Sequence, residues 1–159
     1  MRRLILLAIA AVGLIAAGEA PIALPEGFRG WTPVSSAQVG SGNPAAPKYE
    51  GLHTIYGNAA AIEGYKTGKW ADGAVIILDQ WTAEKTGPDA SGQGQRKFID
   101  VMVRDSRRYA ATGGWGYTEF TWPSRDRVVA IEDNAAKACS GCHAQNAPGG
   151  DQVFSVFKD

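Results

Sequence analysis

Both cysteines of this 159-residue chain lie in one pentapeptide, Cys139-Ser140-Gly141-Cys142-His143. On a helical turn, residues three and four apart share one face, so two thiols and an imidazole can reach one flat group from the same side. This C-x-x-C-H spacing is typical of the covalent attachment of a c-type haem. We therefore predict one haem c per chain, with Cys139 and Cys142 as thioether anchors and His143 as the metal ligand.

Two other kinds of site use closely spaced cysteines. A redox disulfide would need a thioredoxin-like βαβ unit in the N-terminal half, whereas this motif lies near the other end of the sequence. A zinc site needs about four ligands, and the chain offers only 2 Cys and 2 His. Haem attachment fits the composition better than either alternative.

The first residues have the pattern of a secretory signal peptide. Arg2 and Arg3 precede an apolar run over Leu4–Ala17, which is shorter than the roughly 20 residues needed to span a bilayer. We predict residues 1–18 as the signal, residues 19–159 as one haem domain, and a periplasmic protein with no membrane attachment after cleavage. Export agrees with haem attachment, which takes place outside the cytoplasm.

The charge balance argues against two classes of partner. The chain carries 16 basic and 16 acidic residues, and loss of two arginines with the signal leaves a formal net charge of −2. Nucleic-acid and membrane-surface binders concentrate Lys and Arg, and no such block is present, so we expect neither partner. The length and the 45% hydrophobic content suit one domain with one core.

The sixth iron ligand would separate electron transfer from ligand binding. Electron-transfer cytochromes usually place a methionine or a second histidine there, and neither residue type follows His143. Upstream, His53 could ligate iron, donate a hydrogen bond to a bound gas, or lie on the surface. Met102 could ligate iron or fill the core. An open or weakly filled distal site is therefore a reasonable expectation.

Hydrophobic periodicity predicts an α+β fold, mainly an antiparallel sheet with a few helices. The predicted strands are Leu52–Tyr56, Ala74–Trp81, Phe98–Arg104, Trp115–Trp122 and Val153–Phe157. The predicted helical segments are Asn58–Lys66, a haem helix over Asn134–His143, and a helical start at Asp126–Ala130. Stretches rich in Gly, Ser and Pro predict loops at Ser35–Pro47 and Thr86–Gln95.

One carboxylate lies among apolar residues on a predicted strand. Phe98, Asp100 and Met102 alternate and therefore share one face. Large apolar neighbours would desolvate the carboxylate and raise its pKa, which makes Asp100 a candidate proton relay. Alternatively, Asp100 could be solvated or paired with Arg104 or Arg107. Phe98 could serve as an apolar wall for the haem or as ordinary core.

Four stretches occur in an order and spacing that extend across Gly27–Phe157. They are Tyr65–Val75, Val103–Ser106, Thr112–Tyr117, and Cys139–His143 followed by Asp151–Ser155. Together they resemble the cytochrome P-460 family, which also holds the cytochromes c′-beta. The resemblance implies a haem packed against an antiparallel sheet, a five-coordinate iron with His143 as proximal ligand, and commonly a homodimer.

Residues on the distal side divide that family. Its hydroxylamine-oxidising members carry a lysine, cross-linked to the haem, at a position that matches Leu78 here. The resemblance therefore favours the cytochromes c′-beta, which bind nitric oxide or carbon monoxide in an apolar pocket. It also matches Asp100 to an acidic residue of catalytic relatives, and His53 to a basic residue near the pocket.

Three functions follow as hypotheses. The first is a protein that binds nitric oxide or a similar small diatomic or nitrogenous ligand. The second is an oxidoreductase acting on hydroxylamine or nitric oxide, in which Asp100 takes protons and a soluble cytochrome takes electrons. The third is a plain electron carrier with His53 or Met102 on the iron. Leu78 argues against the second function, and the absence of a downstream ligand argues against the third.

Overall fold

The computed structural model describes residues 20–128, 134, 136–147 and 151–158. Within these ranges, five antiparallel strands follow one another as a meander, so each strand pairs with its neighbour in sequence. The strands are β1 (Thr32–Val39), β2 (Gly51–Gly57), β3 (Val75–Gly87), β4 (Ala90–Arg104) and β5 (Trp115–Thr121). The predicted α+β class with a mainly antiparallel sheet is confirmed.

Short helices join and flank the strands. They are α1 (Ala46–Tyr49), α2 (Ala59–Thr67), a π-helical turn (Ala136–Ser140) and α3 (Gly141–Asn146), with 3₁₀ turns at Phe28–Gly30 and Ala110–Thr112. The predicted helix near residues 58–66 is confirmed as α2. It begins where the Asn58 side chain accepts a hydrogen bond from the Ala61 N–H at 2.9 Å, and it ends at Gly68 with φ 69°. No helix in the described part of the chain is long and apolar enough to cross a membrane.

The loop prediction for Ser35–Pro47 was wrong over its first residues. β1 occupies Thr32–Val39 and pairs with β2, with Gln38 opposite Leu52. β1 is an edge strand that is largely exposed. Its backbone pairing holds it in place, so it needs no alternation of apolar side chains.

The loop prediction for Thr86–Gln95 was also wrong. β3 continues to Gly87 and β4 begins at Ala90, leaving a two-residue turn. We call the part of this β3–β4 hairpin beyond Trp81 the ribbon. It extends past β2, because β2 pairs with β3 only as far as Trp81. The ribbon side chains are mostly exposed, so cross-strand hydrogen bonds rather than an apolar face maintain it.

Near the C-terminal end, the structure differs from the predicted strand and helices. Val153–Phe157 forms no strand, because Val153 inserts into the core and the Ser155 hydroxyl bonds the Tyr65 hydroxyl at 2.6 Å. Residues 126–128 are not helical, and Arg127 forms an isolated bridge with Phe120. The rest of Asp126–Ala130 and the signal peptide at residues 1–18 lie outside the described residues. The helix predicted over Asn134–His143 continues past its predicted end, to Asn146.

The two faces of the sheet carry separate clusters. The front face packs against α2, Cys139 and Val153, and the back face packs against the N-terminal segment around Ile22 and Phe28. Strand register arranges the front-face residues in three rows. We call them the tyrosine row (Ile76, Met102, Tyr117), the acid row (Ile55, Leu78, Asp100, Glu119) and the phenylalanine row (His53, Gln80, Phe98).

Candidate functional site

The C-x-x-C-H motif lies against the front face of the sheet. Cys139 lies in the π-helical turn and is half-buried against the front-face cluster, whereas Cys142 on α3 is exposed, and both thiols are free. Burial raises the pKa of the Cys139 thiol to about 11, and the Asp100 carboxylate adds to the shift. Cys139 therefore lies close enough to the acid row for the two groups to interact electrostatically.

His143 is fixed by a hydrogen bond and by two aromatic rings. Its Nδ1 lies 2.7 Å from the Gln152 carbonyl oxygen. Because a carbonyl can only accept, Nδ1 carries the proton and the lone pair of Nε2 stays available for a metal. Burial lowers the pKa of His143, which favours this neutral form. The ring contacts Tyr117 and Phe154, with centroids 5.0 Å and 4.7 Å away, so His143 lies over the tyrosine row.

The acid row brings two carboxylates together beneath a lysine and a tyrosine of α1. Asp100 and Glu119 are direct cross-strand partners of β4 and β5. The Lys48 ammonium lies 2.5 Å from Glu119 Oε2 and 4.0 Å from Asp100 Oδ1. The Tyr49 hydroxyl donates to Asp100 Oδ2 at 3.1 Å. The Lys48 ammonium therefore interacts with both carboxylates, Asp100 and Glu119.

This environment raises the pKa of Asp100 to about 7. Burial is the largest cause and outweighs the lowering by Lys48, while Glu119 raises the pKa further by its charge and by sharing a proton. The raised pKa predicted from the strand pattern is confirmed, and the proton-relay role stays a prediction. The cationic neighbour of Asp100 is Lys48. Arg104 instead donates to the Gly113 carbonyl oxygen at 2.6 Å.

The pKa values of the two α1 side chains respond to the same carboxylates. Burial lowers the pKa of Lys48, but the charges of Asp100 and Glu119 outweigh it and leave a net rise. Burial and the Asp100 charge raise the pKa of Tyr49. Lys48 is therefore an ammonium and Tyr49 a phenol at neutral pH, so both act as hydrogen-bond donors toward the carboxylates.

Three residues of this site, Lys48, Tyr49 and Glu119, were not predicted from the sequence. Glu119 had a usable signal, because it alternates with Tyr117 and a hairpin register would place it opposite Asp100. Lys48 and Tyr49 follow a predicted loop and carry no periodic signal. They reach the site only because tertiary contacts dock α1 on the sheet.

The buried Gln80 and the half-buried Lys97 make that docking. The Gln80 amide donates to the carbonyl oxygens of Tyr49 at 3.0 Å and Glu50 at 3.3 Å. The Lys97 ammonium donates to the carbonyl oxygens of Lys48 at 2.8 Å and Glu50 at 3.1 Å. The end of α1 is thereby tied to β3 and β4, directly above the phenylalanine row.

The structure brings the predicted apolar residues to the same place. Leu78 is half-buried between its cross-strand partners Ile55 and Asp100. Phe98 is buried and meets the Tyr49 ring edge-on at 5.6 Å, and the Lys48 ammonium lies 5.0 Å from the Phe98 ring centre. These residues form an apolar floor around the carboxylate pair.

The two candidates for a sixth ligand lie on different rows. Met102 is buried on the tyrosine row, opposite Tyr117, and therefore on the side occupied by His143. His53 lies opposite Gln80 on β2, with β3 between it and Asp100. Burial lowers the pKa of His53, and its Nδ1 is buried with no hydrogen-bond partner among the described residues.

The thiols, the histidine and the sheet together define a class of protein. Two free thiols, of which Cys139 packs against the front face, accompany a histidine with an available Nε2, and this donor set suits a haem. The family model for cytochrome P460 matches residues 25–155, so the chain belongs to the cytochrome P460 family and is a haem cytochrome. The predicted resemblance is confirmed. A search of curated proteins found no match.

Proposed function

We propose that this chain is an exported mono-haem c-type cytochrome that binds nitric oxide or a similarly small ligand at an open iron position. The observation that carries the proposal is the separation of His143 from the acid row. His143 contacts Tyr117, and the next row along the strands, about 6.8 Å away, contains Ile55, Leu78, Asp100 and Glu119. That row holds neither histidine nor methionine.

The positions of Met102 and His53 support an open site. Met102 shares the row of Tyr117 and thus lies on the side of His143. His53 lies on β2 and Asp100 on β4, so β3 separates them. Electron-transfer cytochromes rely on one of these residue types as the second axial ligand, so their placement favours ligand binding over simple electron transfer.

Each residue of the site would have a defined part. Cys139 and Cys142 would hold the haem through thioether bonds, and His143 would bind iron through Nε2. Bound haem would supply an iron that takes up small ligands and exchanges electrons. Leu78 and Phe98 would limit water on the ligand side.

The experiment is a spectroscopic titration of the periplasmically expressed protein. We expect a high-spin ferrous spectrum that changes on addition of nitric oxide, with His53→Ala and Met102→Leu behaving as the unaltered protein. A low-spin six-coordinate spectrum that ignores nitric oxide would contradict the proposal. If one of the two variants then became high-spin, it would identify the second ligand and favour electron transfer.

The carboxylate pair supports a second candidate, an oxidoreductase acting on hydroxylamine or nitric oxide. Oxidation of hydroxylamine releases protons, and a carboxyl with a pKa of about 7 can accept and release them at neutral pH. Tyr49 and Lys48 would position that carboxyl, and electrons would pass to a soluble acceptor protein. Leu78, at the matched lysine position, argues against this candidate.

Turnover separates the two candidates. With hydroxylamine and an artificial electron acceptor, the ligand-binding proposal expects no sustained turnover. If turnover is robust and Asp100→Asn abolishes its pH dependence near 7, the oxidoreductase candidate replaces the first.

Export and assembly are also proposals. A mature N-terminus near residue 18 would support the signal peptide, and a molecular mass of twice the chain in light scattering would support a homodimer. Each measurement can contradict its own proposal without affecting the other.

A further inference from the structure

Asp151 is held by two indole N–H groups. The Trp70 Nε1 donates to Asp151 Oδ2 at 2.9 Å, and the Trp115 Nε1 donates to the Asp151 carbonyl oxygen at 3.1 Å. The Trp70 ring also packs edge-on against Trp115, with centroids 5.3 Å apart. Both indoles belong to the front-face core, so Asp151 is tied to that core as well as to its own segment, where its Oδ1 accepts from the Val153 N–H at 3.3 Å.

Gln152 follows in a conformation that its neighbours must maintain. Its φ of 65° lies in the left-handed region, which non-glycine residues rarely occupy because of steric cost. The Tyr117 hydroxyl donates to Gln152 Oε1 at 2.8 Å, and the Gln152 carbonyl oxygen accepts from His143 Nδ1 at 2.7 Å. The left-handed backbone is therefore linked to the direction of the carbonyl that His143 uses.

We infer that Trp70 is a positioning residue for His143, acting through Asp151 and Gln152. The Trp70 indole N–H holds Asp151, which keeps Gln152 in its left-handed conformation with its carbonyl aimed at His143 Nδ1. The inference rests on the proposed ligation of iron by His143. Trp70 thereby controls the strength of the iron–histidine bond, although it lies about seventy positions before His143 in the sequence.

The physical link is the basicity of the imidazole. A carbonyl that accepts from Nδ1–H increases electron density on Nε2 and strengthens its bond to a metal. If the Trp70 N–H is lost, Asp151 is less constrained, Gln152 can relax toward negative φ, and the bond to Nδ1 lengthens. The iron–histidine bond then weakens, and the ferric form loses more stabilisation than the ferrous form.

The test measures the iron–histidine stretching band of the ferrous holoprotein by resonance Raman spectroscopy, together with the midpoint reduction potential. Trp70→Phe keeps an aromatic ring and removes only the N–H donor. We expect the band to move to lower frequency and the potential to rise. The matched control is Trp31→Phe, which alters an indole of the back-face cluster and should change neither value.

A second pair of variants separates positioning from folding. Asp151→Asn keeps an oxygen that can accept from Trp70 and should retain the band of the unaltered protein, whereas Asp151→Ala should lower it as Trp70→Phe does. Circular dichroism reports whether each variant is folded, and the Asp151 pair decides the question if Trp70→Phe does not fold.

Two outcomes remain distinct. An unshifted band and an unchanged potential in folded Trp70→Phe, or in folded Asp151→Ala, would overturn the inference while leaving the proposed function intact. If the unaltered protein shows no iron–histidine stretching band because its ferrous iron is six-coordinate, the proposed open site is wrong, and the inference falls with it.

Discussion

Asp79 and Asp100 lie on paired strands but on opposite faces of the sheet, and their surroundings differ sharply. On the back face, Asp79 is fully buried and receives two hydrogen bonds from Arg96, at 2.6 Å and 3.0 Å. The Arg96 guanidinium lies between Trp81 and Trp122, 4.3 Å and 4.1 Å from the ring centres. On the front face, Asp100 competes with Glu119 for Lys48.

The difference shows how one sheet can hold both a structural and a titratable carboxylate. On the back face, the two hydrogen bonds from Arg96 pair both carboxylate oxygens of Asp79 with one guanidinium, which is the arrangement of a structural ion pair. The front-face pair is under-neutralised and partly buried, which raises the pKa of Asp100 to about 7. A carboxyl that changes charge at neutral pH is a better candidate for function than one that does not.

The largest expected effect is the loss of the back-face ion pair. Arg96→Met keeps much of the apolar stem but leaves Asp79 buried, with Arg29 at 3.7 Å as its remaining ion-pair partner among the described residues. We expect the free energy of unfolding in urea to fall by about 3–5 kcal/mol. Lys85→Met, on the exposed ribbon, should change it by less than about 0.5 kcal/mol. A loss as small as that control would show that Asp79 does not depend on Arg96.

The next effect is a change in how stability depends on pH. Because the folded-state pKa of Asp100 is raised to about 7 from its ordinary 3.8, the folded protein binds this proton more tightly than the unfolded chain. Stability should therefore fall as pH rises from about 4 to about 7. Asp100→Asn should remove that part of the decline and gain stability, relative to the unaltered protein, at pH 8.

Urea unfolding at pH 5 and pH 8 measures this effect. Asp89→Asn, on the exposed turn between β3 and β4, is the control and should keep the pH dependence of the unaltered protein. If Asp100→Asn and Asp89→Asn behave alike, Asp100 titrates at an ordinary pKa, and the contrast between the two faces disappears.

A third effect resolves the competition within the acid row. Lys48→Met removes the cation that lowers the pKa of Asp100, so the midpoint should move above 7. Glu119→Gln removes the negative charge that raises it, so the midpoint should move below 7. The bend in a plot of reduction potential against pH reports this midpoint for both variants. Shifts in the same direction would show that charge competition does not set the pKa.

The sequence was sufficient for features that depend on local spacing or alternation. Asn58 and Gly68 marked the ends of α2, and alternation placed Asp100 among apolar residues. Haem attachment at C-x-x-C-H stays a prediction. The sequence was insufficient where backbone pairing or long-range docking decides the outcome. β1 and the ribbon contain too few apolar residues to predict strands, and the place of Lys48 depends on residues some thirty and fifty positions away.

The smallest effect tests whether docking of α1 matters to the acid row. Gln80 is fully buried, and its amide donates to the Tyr49 and Glu50 carbonyl oxygens. Gln80→Met removes those donors, but Lys97 still bonds the same turn at the Lys48 carbonyl. We therefore expect a loss of only about 1 kcal/mol in unfolding free energy and a slight rise in the Asp100 midpoint, because Lys48 is held less firmly. The exposed Gln93→Met is the control. A midpoint that stays fixed while stability falls would mean that Lys97 places Lys48 without Gln80, and that Gln80 has a structural role, as Arg96 has on the back face.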